Sequence, residues 1–196
     1  MVQKVSKSFN TTIQQVDERY AWINDMIRSR QELVLKYMQL LHIDPKSIIE
    51  GSNGDDLKLH SSISLTAAAA SLPEDDEQAL KQTTAAQLSD FCDHLIDYIS
   101  HGHFDLYPKI VELIENASGR SASIAHRVMP KIEATTECLM RFNDRYAENL
   151  DEAKLKTLRQ DLATVGECLE QRFRSEDRLI VGLRLVHSIV ATPRHA

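Results

Sequence analysis

The chain has 196 residues, 42% of them hydrophobic and 27% charged, so it is long enough to bury a core of its own as one domain. Its formal net charge of −6 argues against direct binding to nucleic acid, because phosphate contacts require clustered Lys and Arg, and it favours a basic partner instead. The sequence has no apolar run of about 18 residues and no apolar signal segment, which predicts a cytoplasmic protein without a membrane span. Cys92, Cys138 and Cys168 show no CxxC spacing and are expected to be buried, reduced thiols.

The first predicted element is a helix, because apolar residues recur at helical spacing from Ile13 to Ile43. Asp44–Pro45 is expected to end it, since the residue before a proline is driven out of the helical region. Trp22 and Met26 lie beside the apolar stripe, and we favour a place in the core for both over a place at an interface. The sequence leaves open whether the protein forms oligomers through Trp22 and Met26.

Residues 46–84 differ in character from the rest of the chain. They combine turn chemistry (GSNGDD), small and polar residues (SSISLTAAAASLP) and an acidic run at Glu74–Glu77. We interpret this segment as an inserted, partly disordered loop that contains at most a short helix at about Pro73–Thr83. The acidic run is expected to be a solvated flank rather than an interaction motif.

The segment Gln87–Glu115 predicts two helices that meet at a corner. The first helix turns one apolar face to the core and a largely acidic face to solvent. The acidic face consists of Asp90, Asp93, His94, Asp97 and His101.

The corner of this segment carries His103 and Phe104. Gly102 is expected to end the first helix in the left-handed conformation, and Asp105 is the candidate N-cap of the second. Pro108 is tolerated there, because the first turn of a helix has no acceptor for its missing amide proton.

The second half of the chain predicts two further helices. The connector Asn116–Ser123 precedes a helix in which Pro130 either starts a segment or kinks a continuous helix. Asn149–Glu152 resembles a capping box that opens a long last helix, which ends before Thr192–Pro193. The predicted fold is therefore all-α, a four-helix-bundle-like single domain over residues 1–196 with a split central helix and the inserted 46–84 loop.

One acidic residue falls on an apolar stripe. Glu176 projects with Leu169, Phe173 and Ile180, and burying an unpaired carboxylate is costly. It should therefore have a partner, be protonated or face a cavity, and His103 and Tyr107 are its candidate partners. We favour a buried polar network over a catalytic acid, because no second feature implies a reaction.

Metal binding and enzymatic activity find little support in the sequence. The pairs Asp90–His94 and Asp97–His101 have i,i+4 spacing but point outward, and no Glu-x-x-His motif of di-iron bundles occurs. P-loop, GxGxxG, GxSxG, HExxH and CxxC motifs are also missing from the sequence. We therefore predict a non-enzymatic protein without metal or cofactor.

Four segments, spread in order over most of the chain, resemble one bacterial family. They are LSDFCDHLIDYISHGHFDLY (Leu88–Tyr107), Arg28–Pro45, Met129–Met140 and Leu162–Ile180. Through them the chain is similar to the Rsd/AlgQ family of regulators of sigma D, which act as anti-sigma factors. It departs from the family pattern in the long 46–84 segment, the extended N-terminus and Pro108.

The resemblance implies an all-helical protein that binds the C-terminal domain of the housekeeping sigma factor. That domain is a basic helix-turn-helix module that reads the −35 promoter element. Its sequestration frees core RNA polymerase for alternative sigma factors, typically in stationary phase. The alternative function is a helical adaptor, or a ligand- or metal-binding bundle, that acts on another regulatory partner.

The resemblance also assigns candidate contact residues for sigma. Asp97 is the first of them, and the acidic face suits a basic surface that reads DNA. Its flanking residues are Asp90, Asp93 and His101. The family's His-Phe corner maps onto His103 and Phe104, which either shape a groove or only cap a helix.

Overall fold

The computed structural model describes residues 21–43, 65, 85–116 and 119–190, without the side chains of residues 119–121 and 184–190. Its elements are α1 (Ala21–Leu40), α2 (Ala85–His101), a π-helical turn (Gly102–Leu106), α3 (Tyr107–Glu115), α4 (Gly119–Tyr146) and α5 (Glu152–Val190). This described part contains helices and no strand, so the all-α prediction is confirmed. The predicted 46–84 loop lies outside the described residues except for Leu65, which is buried.

The helices pack around one apolar core. α2 lies against α1 and α4, α4 and α5 form the longest helix pair, and α3 rests on both α4 and α5. Met26 is 2% exposed and Trp22 packs against the core, so the core interpretation of both residues is confirmed. The centre of the core includes Leu33, Tyr37, Phe91, Leu95, Leu139, Leu162 and Leu169.

α1 ends at Leu40, ahead of the predicted stop at Asp44–Pro45. His42 has a positive φ of 54°, and its amide donates to Gln39 O at 3.1 Å. The amide of Ile43 donates to Met38 O at 3.0 Å. This pair of bonds is a Schellman motif, which satisfies the last carbonyl groups and closes the helix without the proline.

The prediction that Gly102 ends a helix in the left-handed conformation is wrong. The chain continues from α2 into α3 through the π-helical turn, and the Tyr107 amide donates to Gly102 O, five residues earlier. Asp105 lies inside that turn and caps no helix. In an α-helix the ring of Pro108 would collide with the carbonyl of the residue four positions before it, and the wider π turn relieves this conflict.

The connector before α4 is shorter than predicted. α4 begins at Gly119, inside the predicted Asn116–Ser123 connector, and Pro130 lies within one continuous helix. The sequence left open whether Pro130 starts a helix segment or lies within a continuous helix, and the structure shows the continuous helix.

The cap of α5 is formed by Asp151 instead of the predicted Asn149. Asp151 Oδ1 accepts the Lys154 amide at 2.8 Å, so its side chain satisfies one of the first free amides of the helix. Asn149 Oδ1 accepts from Lys154 Nζ at 2.6 Å instead.

The prediction of three reduced thiols is wrong for two of the cysteines. Cys138 on α4 and Cys168 on α5 form a disulfide, because they occupy facing positions on neighbouring helices with their Cα atoms 6.7 Å apart. Cys92 is free and buried, and burial raises the pKa of its thiol to about 12. Across the described ranges, no helix is both long and apolar enough to cross a membrane.

Candidate functional site

The outer face of α2 is acidic, as its sequence pattern predicts. Its apolar side, from Leu88 to Ile99, is buried in the core, whereas Asp90, Asp93 and Asp97 are exposed. Three carboxylates on one side of a helix that is anchored by its opposite side form a rigid anionic surface.

The carboxylates of this face differ in their surroundings. Asp90 Oδ2 accepts from Lys36 Nζ of α1 at 2.5 Å, and this hydrogen bond holds the pKa of the Asp90 carboxyl below its usual value. His94 is turned back along its own helix, with Nδ1 3.0 Å from Asp90 O. Asp93 and Asp97 form no ion pair with any described residue. They are therefore the carboxylates that α2 leaves free for a partner.

The π turn carries an exposed aromatic corner next to the acidic face. Phe104 is 74% exposed, and the His103 ring meets it edge to face with the ring centroids 5.0 Å apart. His101 Nδ1 lies 3.2 Å from Asp105 Oδ2, so these two residues pair with each other rather than with Asp97. An exposed aromatic ring bordered by charged groups is typical of an anchor at a protein interface.

Beneath this corner, Glu176 lies at the centre of a buried polar network. Its side chain is 1% exposed. Oε1 accepts from Tyr107 Oη at 2.6 Å and from Arg172 Nε at 3.1 Å. Oε2 accepts from Tyr98 Oη at 2.5 Å and from Arg30 Nη2 at 2.8 Å. Tyr107 is thus in contact with Glu176, whereas His103, the other candidate partner, is exposed.

Sequence reasoning missed Arg30 and Arg172, which are 1% and 0% exposed. The signal was present, because both lie at helical spacing on the apolar stripes of their helices, as Glu176 does. Arg30 also donates to Asp177 Oδ1 at 2.8 Å, and Arg172 donates to Thr136 Oγ1 at 2.8 Å. These bonds give both buried guanidinium groups charged or polar partners, while Arg30 Nε and Arg172 Nη2 are buried without a hydrogen-bond partner among the described residues.

The network joins α1, α2, α3 and α5 through the side chain of Glu176. Burial, followed by the negative charge of Glu176, raises the pKa of Tyr98 and of Tyr107, so both phenols stay protonated as donors. All four contacts to the carboxylate come from side chains of the protein itself. The arrangement is that of a cross-brace in the core.

The π turn depends directly on this network. A Cβ atom on Gly102 would lie 2.6 Å from Tyr107 Oη and 2.8 Å from Tyr107 Cζ, closer than real Cβ atoms come. Glycine is therefore required at residue 102 so that the Tyr107 ring can pass beneath the turn and reach Glu176. The same tyrosine ends the turn that displays Phe104.

The Asp–His pairs of α2, which the sequence pattern disfavours as metal ligands, lie on the exposed side of the helix. His94 Nδ1 lies 3.6 Å from Asp90 Oδ1, and this exposed pair has no third ligand. In the part of the chain that the structure describes, no three His, Cys, Asp or Glu side chains are grouped to hold a metal ion.

Comparison with known proteins places this sequence in a family. The family described as "Regulator of RNA polymerase sigma(70) subunit, Rsd/AlgQ" matches residues 59–184, more than half of the chain. The segment Arg28–Pro45, which also carried the resemblance, lies outside that match. No solved structure is significantly similar to the chain.

Individual relatives carry the name "Regulator of sigma D". The protein of Yersinia enterocolitica is 38% identical over 94 residues, which are 47% of this chain and 56% of that protein. The protein of Yersinia pseudotuberculosis is 36% identical over 97 residues, which are 49% of this chain and 57% of that protein. The chain thus spans about half the length of these curated relatives. Together with the family match, the comparisons show that the chain belongs to the Rsd/AlgQ family of regulators of the RNA polymerase sigma(70) subunit.

Proposed function

We propose that the protein is a non-enzymatic anti-sigma factor that binds the C-terminal domain of the housekeeping sigma factor through α2 and the π turn. The observation that carries the proposal is that α2 exposes two carboxylates without an ion pair to a described residue, Asp93 and Asp97, and that the π turn directly after α2 exposes the ring of Phe104. The relatives' name, "Regulator of sigma D", supports the choice of partner.

The chemistry of the two surfaces is complementary. The sigma domain presents Arg and Lys side chains that otherwise contact promoter phosphates. Carboxylates on a rigid helix compete for those same cations, and they speed association through long-range attraction. Phe104 adds an apolar side chain that the partner can bury. Such burial supplies binding free energy that exposed ion pairs by themselves contribute only weakly.

The free carboxylates and the aromatic ring have separate roles in this proposal. Asp97 is the first contact, Asp93 supports it, and Asp90 contributes less because Lys36 already neutralises it. His101 is held by Asp105, so we place it at the rim of the contact together with His103. Occupation of the −35-reading surface withdraws the sigma factor from the core polymerase in the cytoplasm and favours alternative sigma factors in stationary phase.

The test is direct binding of the full chain to the purified C-terminal domain of the housekeeping sigma factor, measured by calorimetry at low and high salt. We expect Asp97→Arg to weaken binding by about tenfold or more and to reduce its salt dependence. Phe104→Ala should weaken binding by a similar factor while leaving the salt dependence unchanged, because it removes apolar area.

Asp144→Arg is the matched control, since Asp144 is an exposed carboxylate that belongs to α4 and not to α2. It should bind as the wild type does. Normal binding by Asp97→Arg would show that the acidic face is not the contact surface. Failure of the wild-type chain to bind would remove the sigma domain as its partner.

A further inference from the structure

A groove with the opposite charge lies between α4 and α5. It has a volume of about 480 Å³. Its lining residues are Ile124, Arg127, Val128, Lys131, Asp177, Arg178 and Val181. The α4 members follow i, i+3, i+4, i+7 spacing, so they form one continuous helix face.

The floor of this groove is apolar and partly open to solvent. Val128 is buried at 3% exposure, Ile124 is half-buried, and Val181 is 53% exposed. Val181 is among the few large apolar side chains that the described helices leave exposed. Covering such a surface with a partner is favourable, because apolar area is then removed from water.

Both walls of the groove are cationic. Arg127 and Lys131 lie on the α4 wall and Arg178 lies on the α5 wall, and all three are exposed. Among the described lining residues only Asp177 is acidic, and it is paired with Arg30 at 2.8 Å. Lys131 and Arg178 form no ion pair with the residues described, so their charges are available on a chain whose net charge is −6.

We propose that this groove is a docking site for an amphipathic helix of a partner protein that carries carboxylates on both sides of an apolar stripe. A helix laid between α4 and α5 would place its apolar residues on Ile124, Val128 and Val181 and its carboxylates against both cationic walls. None of the described residues that line the groove is aromatic, so no base could stack on them, which disfavours single-stranded nucleic acid as the occupant.

This second surface shares no residue with the acidic face of α2. The two surfaces lie on different helices of one bundle and attract partners of opposite charge. A protein with both can hold a basic and an acidic partner at once, which makes it an adaptor. The inference does not depend on the proposed binding of sigma.

The probe is a fluorescently labelled helical peptide of about 18 residues with Leu on one face and Glu on both sides of that face, titrated with the full-length protein. A matched peptide with Lys in place of every Glu is the control ligand. We expect the Glu peptide to bind at least tenfold more tightly than the Lys peptide at low salt, and high salt should reduce the difference. The methyl resonances of Val128 and Val181 should shift with the Glu peptide.

Variants separate the groove from the rest of the surface. The double variant Lys131→Glu/Arg178→Glu should weaken binding of the Glu peptide at least tenfold, with an unchanged melting temperature. Arg141→Glu is the control, because Arg141 is an exposed cation of α4 outside the groove. Equal affinity for both peptides, or equal binding by the double variant, would overturn the proposal. Tighter binding of a single-stranded oligonucleotide at the same residues would assign the groove to polyanions instead.

Discussion

Substitution of Gly102 by Ala tests whether the buried network holds the π turn. Helix propensity alone predicts a gain of about 1 kcal/mol, because glycine is a poor helix former. The structure predicts the reverse, since the new Cβ atom would lie 2.6 Å from Tyr107 Oη. Tyr107 must then move away from Glu176. The lost hydrogen bond to a charged group costs about 1.5–3 kcal/mol, and overpacking costs about 1–3 kcal/mol.

The net expectation for Gly102→Ala is a loss of about 2–4 kcal/mol in the free energy of unfolding, measured by urea denaturation. Gly182→Ala is the matched control. Gly182 is also buried and helical, but the nearest atom to its Cβ would be a terminal methyl carbon of Ile114 at 3.3 Å, which can give way. The control should lie within about 1 kcal/mol of the wild type.

A double variant examines the mechanism. Tyr107→Phe removes the same hydrogen bond to Glu176. The loss of unfolding free energy in the double variant should therefore be smaller than the sum of the losses in the two single variants. Gly102→Ala with wild-type stability, or with full additivity, would refute the idea that Tyr107 restricts residue 102 to glycine.

Two further predictions concern stability. Reduction of the Cys138–Cys168 disulfide, which closes a loop with a sequence separation of 30, should lower the free energy of unfolding by about 3.6 kcal/mol. Urea denaturation with and without dithiothreitol measures this, and an equal midpoint would contradict it; Cys138→Ser should match the reduced protein. Burial raises the pKa of Tyr98 and Tyr107 above the ordinary value, so these phenols lose their protons only in the unfolded chain. Stability should therefore be intact below about pH 10 and fall above it. Phenolate absorbance should rise together with unfolding, and titration of both groups in the folded protein would contradict this.

Several features of the fold follow from local patterns. Apolar spacing predicts helices because side chains three and four positions apart share one face, whatever that face packs against. The same rule separates the acidic side of α2 from its buried side and marks Glu176 as a carboxylate on an apolar stripe. These features depend on residues close together in the chain.

Other features depended on which helices meet. Arg30 and Glu176 are 146 residues apart, and only the tertiary structure, in which long side chains of α1 and α5 meet, makes them partners. The pairing of Cys138 with Cys168 likewise required α4 and α5 to be neighbours. Gly102 shows the limit most clearly. Local sequence rules assign Gly102 to a helix end. In the tertiary structure its missing side chain instead leaves space for the Tyr107 ring, and this requirement is invisible in the local pattern because it depends on which atoms pack against residue 102.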